Sequence, residues 1–355
     1  GIESTRYLAV DESRMLADPA RYYKGGKPDL QLFDKKLYEV NPDDKVAIAR
    51  AAAEEVLGKD ERIISVDSSY SDGEGSSYRL ISNGFEGESK STWFSVSASV
   101  SIKGEGEARP QDYWYDSALF YDKLTKTGIG AKALERVLRK LGQKKAKSGK
   151  YTMVVDPMNV GNLLSPMLSA LYGSALQQKN SFLMDKLDAK VASDLFTLRD
   201  EPHVIGANGS RYFDNEGVAT EPRTVFDKGV LKTYFIDTYN GKKMNMAPTI
   251  STPSRLILVP GDKDLNGLVA DVKQGILVTG FNGGNSNSST GDFSYGIEGF
   301  LIEDGKLTQP VNEMNVTGNM VALWNSLVAV GNDPQPNRSW QIPSLVFEGV
   351  DFSGL

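Results

Sequence analysis

The residues able to do chemistry are few in this chain. Cysteine is absent and His203 is the single histidine. That removes thiolate nucleophiles, disulfides, sulfur-bound zinc and any pair of imidazoles on a metal. His203 follows Pro202 in a loop, the setting of a surface or hydrogen-bonding histidine rather than of a base with a partner. Asp214 and Glu216 stand in the run Asp214, Asn215, Glu216, Gly217, just after Arg211, Tyr212 and Phe213. Paired acids can act as acid and base, but a turn closed by the Asp side chain and ended by glycine uses the same residues. Asp262, Asp264 and Gly267 copy the first half of a calcium loop, yet Lys273 occupies the place of the closing bidentate Glu. A cation there opposes the ion, so Asp262 or Asp264 is expected to cap a short helix.

Two glycine-rich stretches remain. Gly128, Gly130 and Ala133 echo a dinucleotide fingerprint, but no acid follows at the required distance and no βαβ unit surrounds them. A plain glycine helix start is expected. The loop Gly280 to Gly291, GFNGGNSNSSTG, lacks the Lys-Ser or Lys-Thr of a phosphate loop. Its length and polarity fit a binding loop and a surface decoration equally.

The elements that position these residues read as α+β. With 355 residues and 40% hydrophobic content the chain can build more than one core. A capped helix is expected from Asn41 and Pro42 to Gly58. Strands follow at 62–68, 76–82 and 92–103, the last alternating Phe94, Val96, Ala98, Val100 and Ile102 with serines. An amphipathic helix covers 129–141. The polar run 144–150, KKAKSGK, reads as a flexible linker, which divides the chain into a remnant of an N-terminal domain (1–40), a middle α+β domain (41–148) and a β-rich C-terminal domain (149–355). The run Asn159 to Ser181 places Val160, Leu163, Leu164, Met167, Leu168, Leu171 and Ala175 on one helical face. Beyond it come short strands, hairpins at Lys228-Gly229 and Asp304-Gly305, a helix over 320–330 and a last strand at 344–347.

Net charge is −6, so the overall field repels nucleic acid. The basic residues Arg139, Lys140, Lys144, Lys145, Lys147 and Lys150 have no aromatic residues among them and read as a solvated linker. The Asn-x-Ser/Thr triplets at Asn208, Asn287, Asn315 and Asn337 are read as chance matches, since no secretion signal is visible. No apolar run is long enough for a membrane span. A first residue of Gly is consistent with an upstream segment.

Several collinear motifs carry a resemblance. They are Gly149 to Pro157 (GKYTMVVDP), Ser181 to Leu183, Phe213 to Gly217 (FDNEG), Asp227 to Tyr234 (DKGVLKTY), Thr290 to Ser294 (TGDFS), Ile302 to Gly305, Thr317 to Asn319 and Val330 to Asp333. In this order they resemble the TldD/PmbA family, which also carries the label of modulators of DNA gyrase. The resemblance is clearest from Tyr151 onward and looser over 41–148. It implies an α+β fold with a β-rich C-terminal domain, and a cytoplasmic complex that trims unfolded peptides or peptide precursors. The TldD kind of subunit carries zinc on a His-Glu-x-x-x-His helix with a further Cys ligand; the PmbA or TldE kind lacks these and pairs with it. Aligned on Gly173 and Ser181, the motif positions fall on Leu164, Ser165 and Ser169, none of which can replace an imidazole.

The expectation is therefore a subunit with no catalytic residue, no metal and no cofactor of its own, zinc being expected in a TldD-like partner. Leu164, Ser165 and Ser169 mark the degenerate motif. Tyr172, Ser181, Asp214, Glu216, Asn282, Gly283, Asp292 and Phe293 are candidate cleft or partner contacts. The partner is a TldD-like subunit or a second copy, the ligand an extended peptide taken up by strand addition. Two alternatives stay open: a self-associating peptide-binding scaffold, and a modulator of gyrase, which the acidic balance disfavours.

Overall fold

The structure, a computed structural model, describes Tyr7 and residues 9–355; residues 1–6 and Leu8, the opening of the expected N-terminal remnant, lie outside the described residues. Helix α1 (Pro42–Glu54) starts where the sequence places it: the Asn41 side chain accepts from the Asp44 N–H, Pro42 opens the helix and Asp43 and Asp44 meet its positive end. Strands β1 (Ile63–Ile81) and β2 (Phe85–Ile102) form a long antiparallel hairpin, and β3 (Gln111–Ala118) pairs with the other edge of β2. The two strands expected at 62–68 and 76–82 are thus one. The serines and glycines between them read as a turn, yet Ser71, Gly73 and Gly75 pair with Ser95, Trp93 and Ser91 of β2, and ladder partners override their weak strand propensity. The apolar residues of β2 are buried beneath α1 and α2 (Ile129–Leu138), and the serines face the other way.

The glycine start of α2 binds no nucleotide phosphate because the chain fills the place itself. The Glu55 carboxylate accepts from the N–H groups of Gly128, Gly130 and Ala131 at 2.6, 2.8 and 3.2 Å, satisfying orphan donors at a positive helix end. Gly130 lets α2 approach α1 so closely that an added Cβ would lie 1.9 Å from the Ala52 carbonyl oxygen.

Next come β4 (Gly149–Val155), α3 (Gly161–Ser169) and α4 (Gly173–Gln177). The single helix expected over 159–181 is broken at Tyr172, which is extended at φ −73°, ψ 141°. There the Gly173 N–H donates to Phe235 O and the Phe235 N–H to Leu171 O, so a tertiary backbone pair overrides a helical apolar pattern. The pattern still marks the core: Val160, Leu163, Leu164, Met167, Leu168 and Leu171 are buried.

The remaining elements are β5 (Leu198–Asp200), β6 (Arg223–Asp227), β7 (Val230–Leu231), α5 (Thr238–Met244), β8 (Leu256–Leu258), α6 (Leu265–Ala270), β9 (Gln274–Ser286), β10 (Asp292–Glu303), β11 (Lys306–Asn319), α7 (Met320–Asn325), β12 (Leu327–Val330), β13 (Trp340–Gln341) and β14 (Leu345–Ser353). Both expected hairpin turns form, with Lys228, Gly229, Asp304 and Gly305 at positive φ. Asp264 caps α6 by accepting from the Gly267 N–H, as its turn composition suggests. The expected helix 320–330 ends at Asn325 and continues as β12. The expected loop 280–291 is mostly the end of β9: Gly284 opposes Tyr295 and Ser286 opposes Phe293. Gly284 belongs there because a Cβ would meet the Ser294 carbonyl oxygen at 2.1 Å.

One sheet runs β11-β10-β9-β4-β14-β12, and β11 also pairs with β14, closing five of its strands into a ring; a second sheet runs β13-β8-β5-β6-β7. Pairing is antiparallel except for β4–β9 and β13–β8. The architecture is α+β, with a strand-rich C-terminal part whose main core takes in α3 and α7.

The flexible linker is corrected. Ala146 is buried, its carbonyl accepts from the Leu355 N–H, and the Lys144 N–H donates to Pro310 O. Lys140, read as part of a solvated basic run, is buried: its Nζ lies 2.7 Å from Glu298 and 3.2 Å from Asp112 and donates to Gln111 O. It fastens the β1–β3 sheet to the C-terminal part. The segment before α1 fastens the same two parts elsewhere. Ala17 and Tyr22 enter the main core, Tyr22 bridges Val218, and Leu32 accepts from the Thr92 N–H.

Candidate functional site

Leu164, Ser165 and Ser169, the positions expected to mark a degenerate motif, do not form a constellation. Leu164 is fully buried in the main core, whereas Ser165 and Ser169 are exposed. A hydrocarbon side chain offers no lone pair, and serine hydroxyls are poor zinc ligands at neutral pH. Among the described residues no group of three or more His, Cys, Asp or Glu is placed to hold a metal. His203 is taken up elsewhere, with Nε2 3.1 Å from Thr220 Oγ1 and its ring beside Tyr212, and burial lowers its basicity. The donor set therefore does not fit zinc.

The other candidates fall into two groups. In the first, Asp214 is buried in the Asx turn: Oδ1 accepts from the Glu216 and Val218 N–H groups at 2.8 and 3.0 Å, and Oδ2 from the N–H and hydroxyl of Ser251. All its lone pairs face donors, which is positioning and leaves nothing for proton transfer. Glu216 accepts from the N–H and hydroxyl of Thr238 at the start of α5; burial raises its pKa and these donors oppose that. Burial likewise raises the Tyr172 hydroxyl, against the nearby Arg211 guanidinium.

In the second group, Ser181 is buried and donates to Ala170 O, which ties the end of the α3–α4 segment together. Its neighbour Asn180 accepts from the hydroxyls of Ser288 and Ser289, and Phe182 N–H donates to Ser288 O. Asp292 is exposed and accepts from Asn319 and Thr290, Phe293 is buried against Tyr295, and Asn282 and Gly283 are exposed on β9. Among the described residues no hydrogen bond joins this group to the first.

Sequence reasoning missed the residues around Arg211. This guanidinium donates from Nε to Ser254 Oγ and from one terminal nitrogen to Thr252 O, Thr252 Oγ1 and Pro253 O, at 2.8 to 3.1 Å. Burial lowers its pKa, with Asp214 and Asp200 opposing. Arg211, Tyr212, Phe213 and Asp214 form one wall of a cleft of about 390 Å³, whose other walls include Tyr23, Lys27 and Asp29 and the hairpin residues Arg79, Glu88 and Lys90. Tyr23 stacks on Tyr212 with centroids 5.1 Å apart and planes at 9°, and Lys27 Nζ lies over the same ring. The Tyr22-Tyr23 pair beside a Lys-Gly-Gly-Lys break was the available signal, but only the fold places it against residues 210–215.

One further group stands out by burial. Asp156, at the end of β4, accepts from the N–H and Nδ2 of Asn159 at 3.0 and 2.7 Å, starting the turn into α3. Burial pushes its pKa up to about 6, against Asn159 and Arg136.

A three-stranded sheet packed on two helices, joined to a strand-rich C-terminal part whose main core takes in α3 and α7, makes an α+β chain of two parts. Residues 35–141 match the central domain, and 148–354 the C-terminal domain, of the PmbA/TldA metallopeptidases. The chain belongs to this PmbA/TldD family. It is 29% identical over 354 residues to a metalloprotease PmbA homologue of Haemophilus influenzae, covering 98% of this chain and 78% of that protein. It is 27% identical to metalloprotease PmbA of Escherichia coli O157:H7, covering 99% and 78%. A crystal structure from Bacteroides thetaiotaomicron, of a protein carrying the label of a DNA gyrase modulator, superposes with a TM-score of 0.99 at 74% identity, over 100% of this chain and 81% of that one. TldE from Thermococcus kodakarensis shares the fold, with a TM-score of 0.82 at 22% identity over 99% and 82% of the two chains. Among the described residues no helix is long and apolar enough to cross a membrane.

Proposed function

We propose that this chain is the zinc-less, PmbA/TldE-like subunit of a metallopeptidase complex, holding an extended peptide while a TldD-like partner supplies zinc and chemistry. The observation that carries the reading is Leu164, fully buried where a zinc-bearing helix needs a ligand. Ser165, Ser169 and the absence of cysteine support it. The chain's own residues would bind and orient. The aromatic walls and mixed charges of the 390 Å³ cleft suit a peptide, and among the described residues the outer edge of β1 pairs with no strand, which leaves backbone groups for strand addition. The complex acts in the cytoplasm on this reading.

The test mixes the purified chain with a His-Glu-x-x-x-His paralogue from the same genome. Co-elution as one complex, together with peptidase activity that this chain lacks alone, is expected. Failure to associate, or equal activity with and without this chain, contradicts the reading.

A further inference from the structure

The two parts of the chain meet at a cluster of charges held away from water. Asp112 on β3, Arg136 on α2 and Lys140 just beyond α2 come from the hairpin side, and Glu298 on β10 and Asp156 at the end of β4 from the C-terminal side. Arg136 Nε lies 3.2 Å from Asp112, and Lys140 Nζ lies 2.7 Å from Glu298 and 3.2 Å from Asp112. Asp156 and Asn159 sit alongside on β9, where the Asp156 N–H donates to Val278 O and Asn159 Nδ2 to Thr279 O. Gly280, the next residue, opposes Glu298 and makes room for it, since a Cβ there would come within 2.6 Å of the carboxylate. The Arg139 guanidinium covers the Phe300 ring at 4.6 Å, so the end of α2 rests on β10.

As ions these groups are three carboxylates against two cations, Arg136 and Lys140. The excess negative charge falls on Asp156. Asp112 and Glu298 each have a cation within 3.2 Å. Asp156 is the most deeply buried of the three; Asn159 donates to its Oδ1, and the charge that faces it, Arg136, is already bound to Asp112. A buried carboxylate without a counter-ion of its own is costly, and protonation removes that cost. Burial is why its pKa stands at about 6. Water can reach the cluster through a crevice of about 310 Å³ between the two parts, lined by Gly104, Pro110, Lys140, Lys144, Asn312 and Glu313.

We infer that this joint is a clamp worked by one proton: with Asp156 neutral the charges balance and α2 is held on β10, and with Asp156 ionised the excess charge draws water through the crevice and lets α2 lift. The direction follows from linkage. Lifting α2 hydrates Asp156 and returns its carboxyl toward 3.8, so the lifted form binds the proton less tightly than the clamped one. Lifting is suppressed below pH 3.8, grows as pH rises, and levels off above about 6, where both forms are ionised. At the far end of the hairpin Phe85 stays packed on Tyr22 and Phe213, which confines the movement to the α2 end. The inference is independent of the reading of the chain as a peptide-holding subunit.

The test is hydrogen exchange on the full chain at about pH 4.5 and about pH 7, with rates corrected for the intrinsic pH dependence of amide exchange. At the higher pH the amides of α2 and the Lys144 N–H are expected to be less protected than those of β4 and β9, which marks an opening of the joint short of global unfolding. Their protection should be at least about tenfold lower there than at the lower pH. Asp156→Asn keeps an acceptor for Asn159 and cannot ionise. In this variant α2 should be protected equally at both pH values, at the level the parent shows at the lower one. Protection of α2 that does not change with pH in the parent overturns the inference. So does exchange of α2 only together with β4 and β9, or a pH dependence that survives in Asp156→Asn.

Discussion

Asp156 keeps its carboxylate in a place that disfavours charge. Its pKa rises from 3.8 to about 6 because burial outweighs the donors from Asn159 and the Arg136 charge. The folded state therefore binds this proton more tightly than the unfolded chain does. Stability from this group is fully present below pH 3.8 and is lost as pH rises through about 6. The variant Asp156→Asn keeps an acceptor for the Asn159 N–H and cannot ionise. Relative to the parent it should gain up to about 3 kcal/mol at neutral pH and nothing near pH 3. Urea denaturation at both pH values checks this; a difference independent of pH contradicts the assignment. Leu164 supplies a second residue-scale outcome. Leu164→His should cost about 2–5 kcal/mol, because it removes core packing and buries an imidazole without a partner. Restoring Ser165→Glu and Ser169→His beside it should not create stoichiometric zinc binding.

At the scale of elements, local signals were legible wherever one residue satisfies a neighbour in sequence. The Asn41 cap, the Asp264 cap, the Asp214 turn and the two glycine hairpins all form as composition suggests. Signals that depend on a distant strand were not legible. The break at Tyr172 comes from Phe235, the continuity of β1 comes from β2, and Gly280 to Ser286 is held as strand by β10. Glycine and serine read as loop in one dimension and as close approach in three. The cap of α2 is of the same kind, since Glu55 lies far along the chain from Gly128. Glu55→Ala removes the acceptor for three N–H groups and should cost about 1–2 kcal/mol in thermal or urea unfolding. Gly130→Leu should cost more, since the Ala52 carbonyl leaves no room even for a Cβ.

At the scale of the whole molecule, the two parts are joined by polar and aromatic groups rather than by a tether. Lys140 sits between Asp112 and Glu298, and Phe85 of the hairpin meets Tyr22 of the segment before α1 and Phe213 of the C-terminal part. Removing Lys140 leaves the largely buried Glu298 without its cation, while Asp112 keeps Arg136 at 3.2 Å. Lys140→Ala is expected to lower stability by about 3–5 kcal/mol, seen as earlier unfolding of the hairpin domain by hydrogen exchange. Of the candidate site, the Asp214 turn was legible in the sequence, because its side chain closes on residues two and four positions on. The cleft was not, because Tyr23 and Arg211 come to one cleft only when the segment before α1 packs on the C-terminal part.

The account turns on whether this chain holds zinc. Elemental analysis of the purified protein, before and after complex formation with a His-Glu-x-x-x-His paralogue, asks that directly. The account predicts no stoichiometric zinc in the chain alone and one zinc per complex, carried by the partner. One zinc per chain in the isolated protein would contradict it.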